Sequence, residues 1–301
     1  MLAVKNLRKE YKNVVAVDNI SFNVEEGRIF GILGPNGAGK TTTLRTVLNI
    51  IKPTSGNITF NNKPIAKQFL NTIGYLPEER GLYKRSKVID VILYFAGLKK
   101  MSRHFALGEA KSWLKKLVIE QYMNKRVEEL SKGNQQKVQF IISVIHNPSL
   151  LILDEPFTGF DPINQTLIKE TVLSFVTDGK IIILSTHQME TAEKLCSDIL
   201  LINKGVELYQ GSLTNLKRNF GTNTVKIEFD GDAEFLNNLA QVQNVDRYSN
   251  FAEIQLKENI DPSDFLRQIV DKINIKSFTV LEPTLNKIFI DVIGQSHKKQ
   301  V

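Results

Sequence analysis

Residues 34–41 read GPNGAGKT and fill every position of the pattern G-x-x-x-x-G-K-[ST]. This loop constrains the fold more than any other stretch, because it works only between a strand and a helix. The apolar segment RIFGILG enters it, and a helical pattern over 40–51 leaves it, stopping before Pro53. Glycines let backbone N–H groups turn inward around an anion, and the helix N-terminus adds its positive dipole. Gly34, Pro35, Asn36, Gly37, Ala38, Gly39, Lys40, Thr41 and Thr42 are therefore the candidate cradle for a nucleoside triphosphate. Lys40 would reach the β- and γ-phosphates, and the Thr41 hydroxyl would ligate Mg²⁺.

A second element supports the first. LLILDEP places Asp154 at the end of an apolar strand, where a carboxylate would hold the Mg²⁺ shell. Glu155 beside it can polarise an attacking water as general base. Guanine recognition would need N-K-x-D, and Asn203-Lys204-Gly205-Val206 lacks the aspartate. ATP is the expected nucleotide.

The surrounding pattern reads as α/β. LLILDEP and KIIILSTH are apolar throughout, as strands of a parallel sheet covered on both faces are, and an amphipathic helix over 164–177 separates them. GNITFNNKPI reads as a hairpin turning at Asn61-Asn62. From about 86 to 146 the period becomes helical, most clearly in FALGEAKSWLKKL. Past Arg218 the texture shifts to strand, helix, strand, strand, helix, strand, with a closing helix in TLNKIFIDVIG. That order suggests a small ferredoxin-like α+β domain.

Composition narrows the classes further. No apolar run approaches the roughly 18 residues a membrane span needs, and MLAVKNLRKEY reads as a first strand rather than a signal peptide. The single cysteine, Cys196, forms no internal disulfide and reads as a buried thiol in a reducing cytoplasm. The net charge of +7 is dispersed over LYKRSK, GLKKMSRH, LKRN and the HKKQ tail, without interleaved aromatics. It reads as a solvated basic surface, and attraction to an anionic membrane face fits it equally well. His104, His146 and His297 show no metal-ligand spacing.

LSKGNQQKV, over 130–138, carries anion-binding groups but no base, nucleophile or metal-ligand set. A P-loop, LSKGN ahead of a helix, LLILDEP, FTGFDP and LSTH, in this order, resemble the ATPase subunits of ABC transporters. The resemblance covers the first 215 residues. It implies a P-loop NTPase (RecA-like) core with an antiparallel β subdomain and a helical subdomain, over 1–215 with the helical insertion at about 86–146. An accessory α+β domain follows over 222–301.

The same resemblance implies roles for single residues. Ser131, Lys132, Gly133 and Asn134 form a signature that meets the γ-phosphate of ATP held by a second ATPase subunit, expected to be another copy of this chain. Asp161 links the two sites, and His187 is the switch histidine that touches the γ-phosphate. Tyr11 sits where an aromatic stacks on adenine; a strand residue packed on the core is the other reading of it. Glu78, in IGYLPEERGLY, stands where the family carries a Mg²⁺-sensing glutamine, and a carboxylate oxygen can also ligate Mg²⁺. Lys132 and Asn134 likewise replace the glycine and glutamine most common in the family. GYLPEERGLY, LSKGNQQKVQ and the C-terminal extension look like the sodium-export (NatA-like) subgroup.

The resulting expectation is a Mg²⁺- and ATP-dependent ATPase in the cytoplasm, peripheral on the inner membrane face. It would drive an integral membrane permease that exports Na⁺, another cation or a small toxic compound. A rival from another class is a non-transport ABC ATPase acting on ribosomes or nucleic acid. One P-loop and a short helical insertion favour transport, so no nucleic-acid partner is expected.

Overall fold

The computed structural model describes residues 1–65, 69, 71–79, 81–220, 223–257, 260–281 and 283–298. Arg80 of the IGYLPEERGLY run, Thr222 at the expected domain start and the last residues of the basic tail lie outside them. The chain divides into two compact units, Met1–Leu213 and Thr214–Val301.

The first unit has the α/β architecture expected of a P-loop NTPase, built on one ten-stranded sheet with the glycine-rich loop between a strand and a helix. Its parallel part contains β3 (Arg28–Leu33), β6 (Ile73–Leu76), β7 (Leu150–Asp154), β8 (Ile181–Thr186) and β9 (Asp198–Asn203), in the order β9-β3-β8-β7-β6. Every residue of β7 and β8 is buried. Their sequences, LLILD and IIILST, are apolar until the strand ends, as a sheet covered on both faces requires. The antiparallel part comprises β1 (Leu2–Tyr11), β2 (Val14–Val24), β4 (Ser55–Phe60) and β5 (Lys63–Pro64). β10 (Val206–Ser212) joins the two parts, pairing antiparallel with β9 and parallel with β2. The 61–62 turn between β4 and β5 has both asparagines in the left-handed region, as the sequence suggests.

Helix α1 (Lys40–Val47) is shorter than its apolar pattern predicts. Asn49 turns into the left-handed region at φ 54°, and the Ile50 and Ile51 N–H groups both fold back to the Arg45 carbonyl. Ile50 and Ile51 continue the apolar pattern, but the backbone has already left the helix. The helical segment contains α2 (Val88–Leu98), α3 (Arg103–Lys116) and α4 (Lys132–Val144). Ser131 caps α4 by accepting the Asn134 N–H. Asp161 caps α5 (Pro162–Thr177) in the same way, with Pro162 in the first turn. A short α6 (Met189–Leu195) follows β8. Cys196 is buried as expected, and burial raises its thiol pKa far above the usual range.

Helix α7 (Leu213–Phe220) leads into the second unit, a four-stranded antiparallel sheet. Its strands are β11 (Thr224–Asp230), β12 (Val242–Arg247), β13 (Phe251–Leu256) and β14 (Asn274–Leu281), in the order β12-β13-β11-β14. This is the ferredoxin-like order. Helix α8 (Pro262–Ile269) makes the second crossover, and α9 (Leu285–Lys298) closes the chain. The first crossover departs from expectation: AEFLNNLAQV yields only a single 3₁₀ turn, Glu234–Asn238. Asn237 and Asn238 are poor helix formers, and the connection is too short to develop a longer helix.

Candidate functional site

The parallel strands assemble the site at their carboxyl ends, where open α/β sheets hold ligands. β8 lies between β3 and β7, with Leu33 opposite Thr186 and Asp154 opposite Ser185. The P-loop leaves β3, Asp154 and Glu155 end β7, and His187 follows β8. The P-loop meets two segments more than a hundred residues further along the chain because of this register.

Close packing requires glycine at positions 34 and 39 of the P-loop. A Cβ on Gly34 would lie 2.2 Å from the Ile202 carbonyl, and one on Gly39 would lie 2.5 Å from the Ala16 carbonyl. The loop closes on a cavity of about 530 Å³, lined by residues 36–42, Val14, Val15, Ala16, Glu78, Glu155, Lys204 and Gly205. Such a volume suits a small-molecule ligand.

Lys40 is buried and donates to the carbonyls of Gly34 at 2.8 Å and Pro35 at 3.2 Å. Its Nζ also lies 3.6 Å from Glu155 Oε1, so the buried cation and the buried carboxylate offset one another. Glu155 adopts φ 49°, a conformation uncommon for a non-glycine residue and concentrated at functional sites. Its Oε1 accepts the His187 N–H at 3.0 Å and faces the His187 Nδ1 at 2.8 Å. Its Oε2 faces the hydroxyls of Thr186 at 3.2 Å and Thr158 at 3.4 Å.

Asp154 Oδ1 accepts from Ser185 and, at 3.3 Å, from Thr41. Its Oδ2 is buried without a hydrogen-bond partner. An unsatisfied carboxylate oxygen next to a threonine hydroxyl fits a hard, oxygen-seeking cation, so the donor set suits Mg²⁺. Glu78 is exposed and lines the same cavity. Gln139 Nε2 fixes the Glu78 loop by donating to the carbonyls of Glu79 at 3.0 Å and Pro77 at 3.3 Å.

The remaining candidates stand apart from this cavity. Ser131, Lys132, Gly133 and Asn134 sit at the start of α4 and do not line it. Asp161 is exposed, and hydrogen bonds from Asn164 hold its carboxyl below the usual carboxylate range. Tyr11 pairs with Val14 at the end of β1; its ring is exposed, lies outside the cavity lining, and has the Lys9 ammonium 4.7 Å from its centroid.

Sequence reading missed several contributors. Ser185 and Thr186 grip the two carboxylates, and Gln136 and Gln139 bind the loops beside them. Two amides three residues apart on the buried face of α4 were the available signal. The Asn203–Val206 stretch, set aside as a guanine reader, supplies Lys204 and Gly205 to the cavity wall. The Gly205 N–H donates to the Ala38 carbonyl at 2.9 Å, which ties this turn to the P-loop.

Comparison with known proteins gives the family context. Residues 17–158 match the profile of the ABC transporter family, and residues 211–293 match that of the "ATP-binding protein DrrA1-3-like, C-terminal domain". The chain is 42% identical to the uncharacterized ABC transporter ATP-binding protein YhaQ of Bacillus subtilis, covering 98% of this chain and 99% of the relative. The linearmycin resistance ATP-binding protein LnrL of the same species is 29% identical, covering 98% and 99%. The ABC transporter ATP-binding protein NatA of that species is 35% identical, covering 70% of this chain and 88% of its own. A solved dimeric ATP-binding cassette in a post-hydrolysis state, bound to ADP and phosphate, superposes with a TM-score of 0.65 at 25% identity, covering 71% and 99%.

Proposed function

Because the chain belongs to the ABC transporter ATP-binding protein family, we propose that it is one of two identical ATPase subunits driving export through a separate membrane permease. ATP binding and hydrolysis are the family's chemistry. The observation that carries the reading to this chain is that Lys40 and Thr41 of the P-loop, which line the cavity with Glu155, contact Glu155 and Asp154, while His187 contacts Glu155.

In this reading the P-loop N–H groups and Lys40 bind the β- and γ-phosphates. Glu155 accepts a proton from the attacking water, and His187 orients the γ-phosphate end of the site. Thr41, Asp154 and Glu78 would hold Mg²⁺, which neutralises the charge developing on the phosphate oxygens. Tyr11 supports the adenine from the end of β1. Ser131 and Gly133 serve the nucleotide of the second subunit, because their anion-binding groups lie outside their own chain's cavity. Asp161 connects the two sites across the dimer.

Export is favoured by the full-length likeness to a resistance ATP-binding protein. The NatA likeness covers less of the chain. A small toxic compound is therefore the preferred cargo class over Na⁺. Among the described residues no helix is long and apolar enough to cross a membrane, which fits docking on a separate permease at the inner face.

The test is ATP turnover and assembly of the full chain. Glu155→Gln should retain ATP binding, accumulate an ATP-bound dimer and lose turnover by on the order of 10²-fold or more. Ser131→Arg should leave ATP affinity of the monomer unchanged and abolish dimer-dependent hydrolysis. Purification from membranes in mild detergent should bring a permease with it. Near-normal hydrolysis by Glu155→Gln would overturn the catalytic assignment.

A further inference from the structure

β8 ends in two consecutive buried hydroxyls, Ser185 and Thr186. Neighbouring strand residues point to opposite faces, so the two reach different partners. Each hydroxyl has a single proton to donate. The Glu155 N–H is shared between the Ser185 carbonyl at 3.1 Å and Ser185 Oγ at 3.3 Å, and Ser185 Oγ donates its proton to Asp154 Oδ1. Thr186 Oγ1 accepts the Gln188 N–H at 3.0 Å, which directs its proton to Glu155 Oε2 at 3.2 Å. One strand end thus anchors both carboxylates, with each anchor oriented by a backbone N–H.

The consequences for the carboxylates differ. Asp154 keeps one buried oxygen without a partner. Glu155 has no such oxygen, since Oε1 meets His187 and Lys40 and Oε2 meets two threonine hydroxyls. His187 is half exposed, and in the proposed reaction both it and Lys40 engage the γ-phosphate. The His187 ring and Lys40 can therefore leave Oε1 when nucleotide binds, while the His187 main-chain N–H at 3.0 Å stays as a pivot. Thr186 is buried at 1% exposure and tied to the main chain, so Oε2 cannot exchange as easily.

The geometry points to Thr186 as a positioning residue for Glu155. By fixing Oε2 in place, its hydroxyl leaves Oε1 as the oxygen that gives up Lys40 and the His187 ring for the attacking water. Thr158 is the weaker second hold on Oε2, at 3.4 Å. Without the Thr186 anchor the carboxylate swings about its side-chain torsions, and fewer ATP-bound complexes present Oε1 to the water. Misplacing a reacting group by about 1 Å is enough to cost on the order of 10²-fold. A partial loss of aim should cost less than that. This inference rests on the reading of Glu155 as the base.

The test compares Thr186→Val, which removes the hydroxyl at nearly constant volume, with Thr186→Ser, which keeps it. Both are measured in the full chain for kcat and KM, with ATP affinity from direct titration with ATP. Thr186→Val should lower kcat about 10-fold while KM and ATP affinity stay within about 2-fold, the pattern of a group acting in the transition state. Thr186→Ser should recover kcat to within about 3-fold of the parent. In a Glu155→Gln background Thr186→Val should cause no further loss, because the two act as one unit. Parental kcat in Thr186→Val, with Glu155→Gln inactive, would overturn the positioning role and leave the base assignment standing. Parental activity in Glu155→Gln would overturn the base assignment itself. Equal losses in the serine and valine variants would show that Thr186 acts through packing, and would also overturn the inference.

Discussion

All the buried polar and charged side chains described, from Lys40 to Thr191, belong to Met1–Leu213, whereas the core of the second unit is built from residues such as Val225, Ile227, Ile254 and Phe265. Backbone strain divides the same way. Non-glycine residues with positive φ run from Asn6 to Lys204, and among the described residues none follows. Burying a charge costs several kcal/mol unless partners offset it, and a strained conformation costs about 1–3 kcal/mol. The first unit bears both costs where strand ends converge on the P-loop. Among its described residues the second unit bears neither.

The comparison is most exposed to a cavity in the apolar core of the second unit. Phe265 is fully buried, and Phe265→Ala should destabilise that unit by about 3–5 kcal/mol. ATP affinity should stay within about 2-fold. Thermal unfolding followed alongside ATP titration checks both halves, and a parallel fall in ATP affinity would break the division between the units.

A smaller effect concerns His146 of the first unit. Burial, with added repulsion from the Lys99 and Lys180 cations, lowers its pKa from 6.5 to about 4. As pH falls below 6.5 the unfolded chain takes up a proton that the folded chain refuses until about pH 4, so stability is lost across that window. With allowance for solvent screening the loss is on the order of 1–2 kcal/mol. His146→Gln should remove that part of the slope in denaturant melts between these pH values. An unchanged slope would place the acid sensitivity elsewhere.

The smallest effect sharpens the reading of the cavity rim. Glu78 lines the cavity, and its neighbour Glu79 does not. Glu78→Gln should shift the Mg²⁺ concentration dependence of ATPase activity by a few-fold, while Glu79→Gln should leave it unchanged. Matching curves for both variants would remove Glu78 from the metal site.

The parts of the molecule legible in the sequence are those set by short-range chemistry. The P-loop shows itself because backbone turning needs glycine at fixed spacing, and β7 and β8 because doubly covered strands must be apolar. The α4 start is equally readable, since Ser131 caps its own helix, whereas α5 begins at Pro162, two residues before the pattern over 164–177, because Asp161 caps it. The sequence reading fails where an apolar pattern outlasts its backbone. Ile50 and Ile51 look helical, but Asn49 has already turned the chain. It fails again at Glu234–Asn238, where a helical pattern lies in a connection too short for a helix.

Taken alone, the amino-acid order determined the loop that wraps a phosphate, the carboxylates Asp154 and Glu155, and the alternation of strands and helices around them. Each depends on residues within a few positions of one another. Only the tertiary structure decided that Ser185 faces Asp154 while Thr186 reaches Glu155, that Gly205 supports Ala38, and that Gln139 holds the Glu78 loop. These pairs are far apart in the chain, and their hydroxyls and amides are common groups with no local signature. Strand register selects among them, because a shift of one residue would turn each hydroxyl to the opposite face of the sheet.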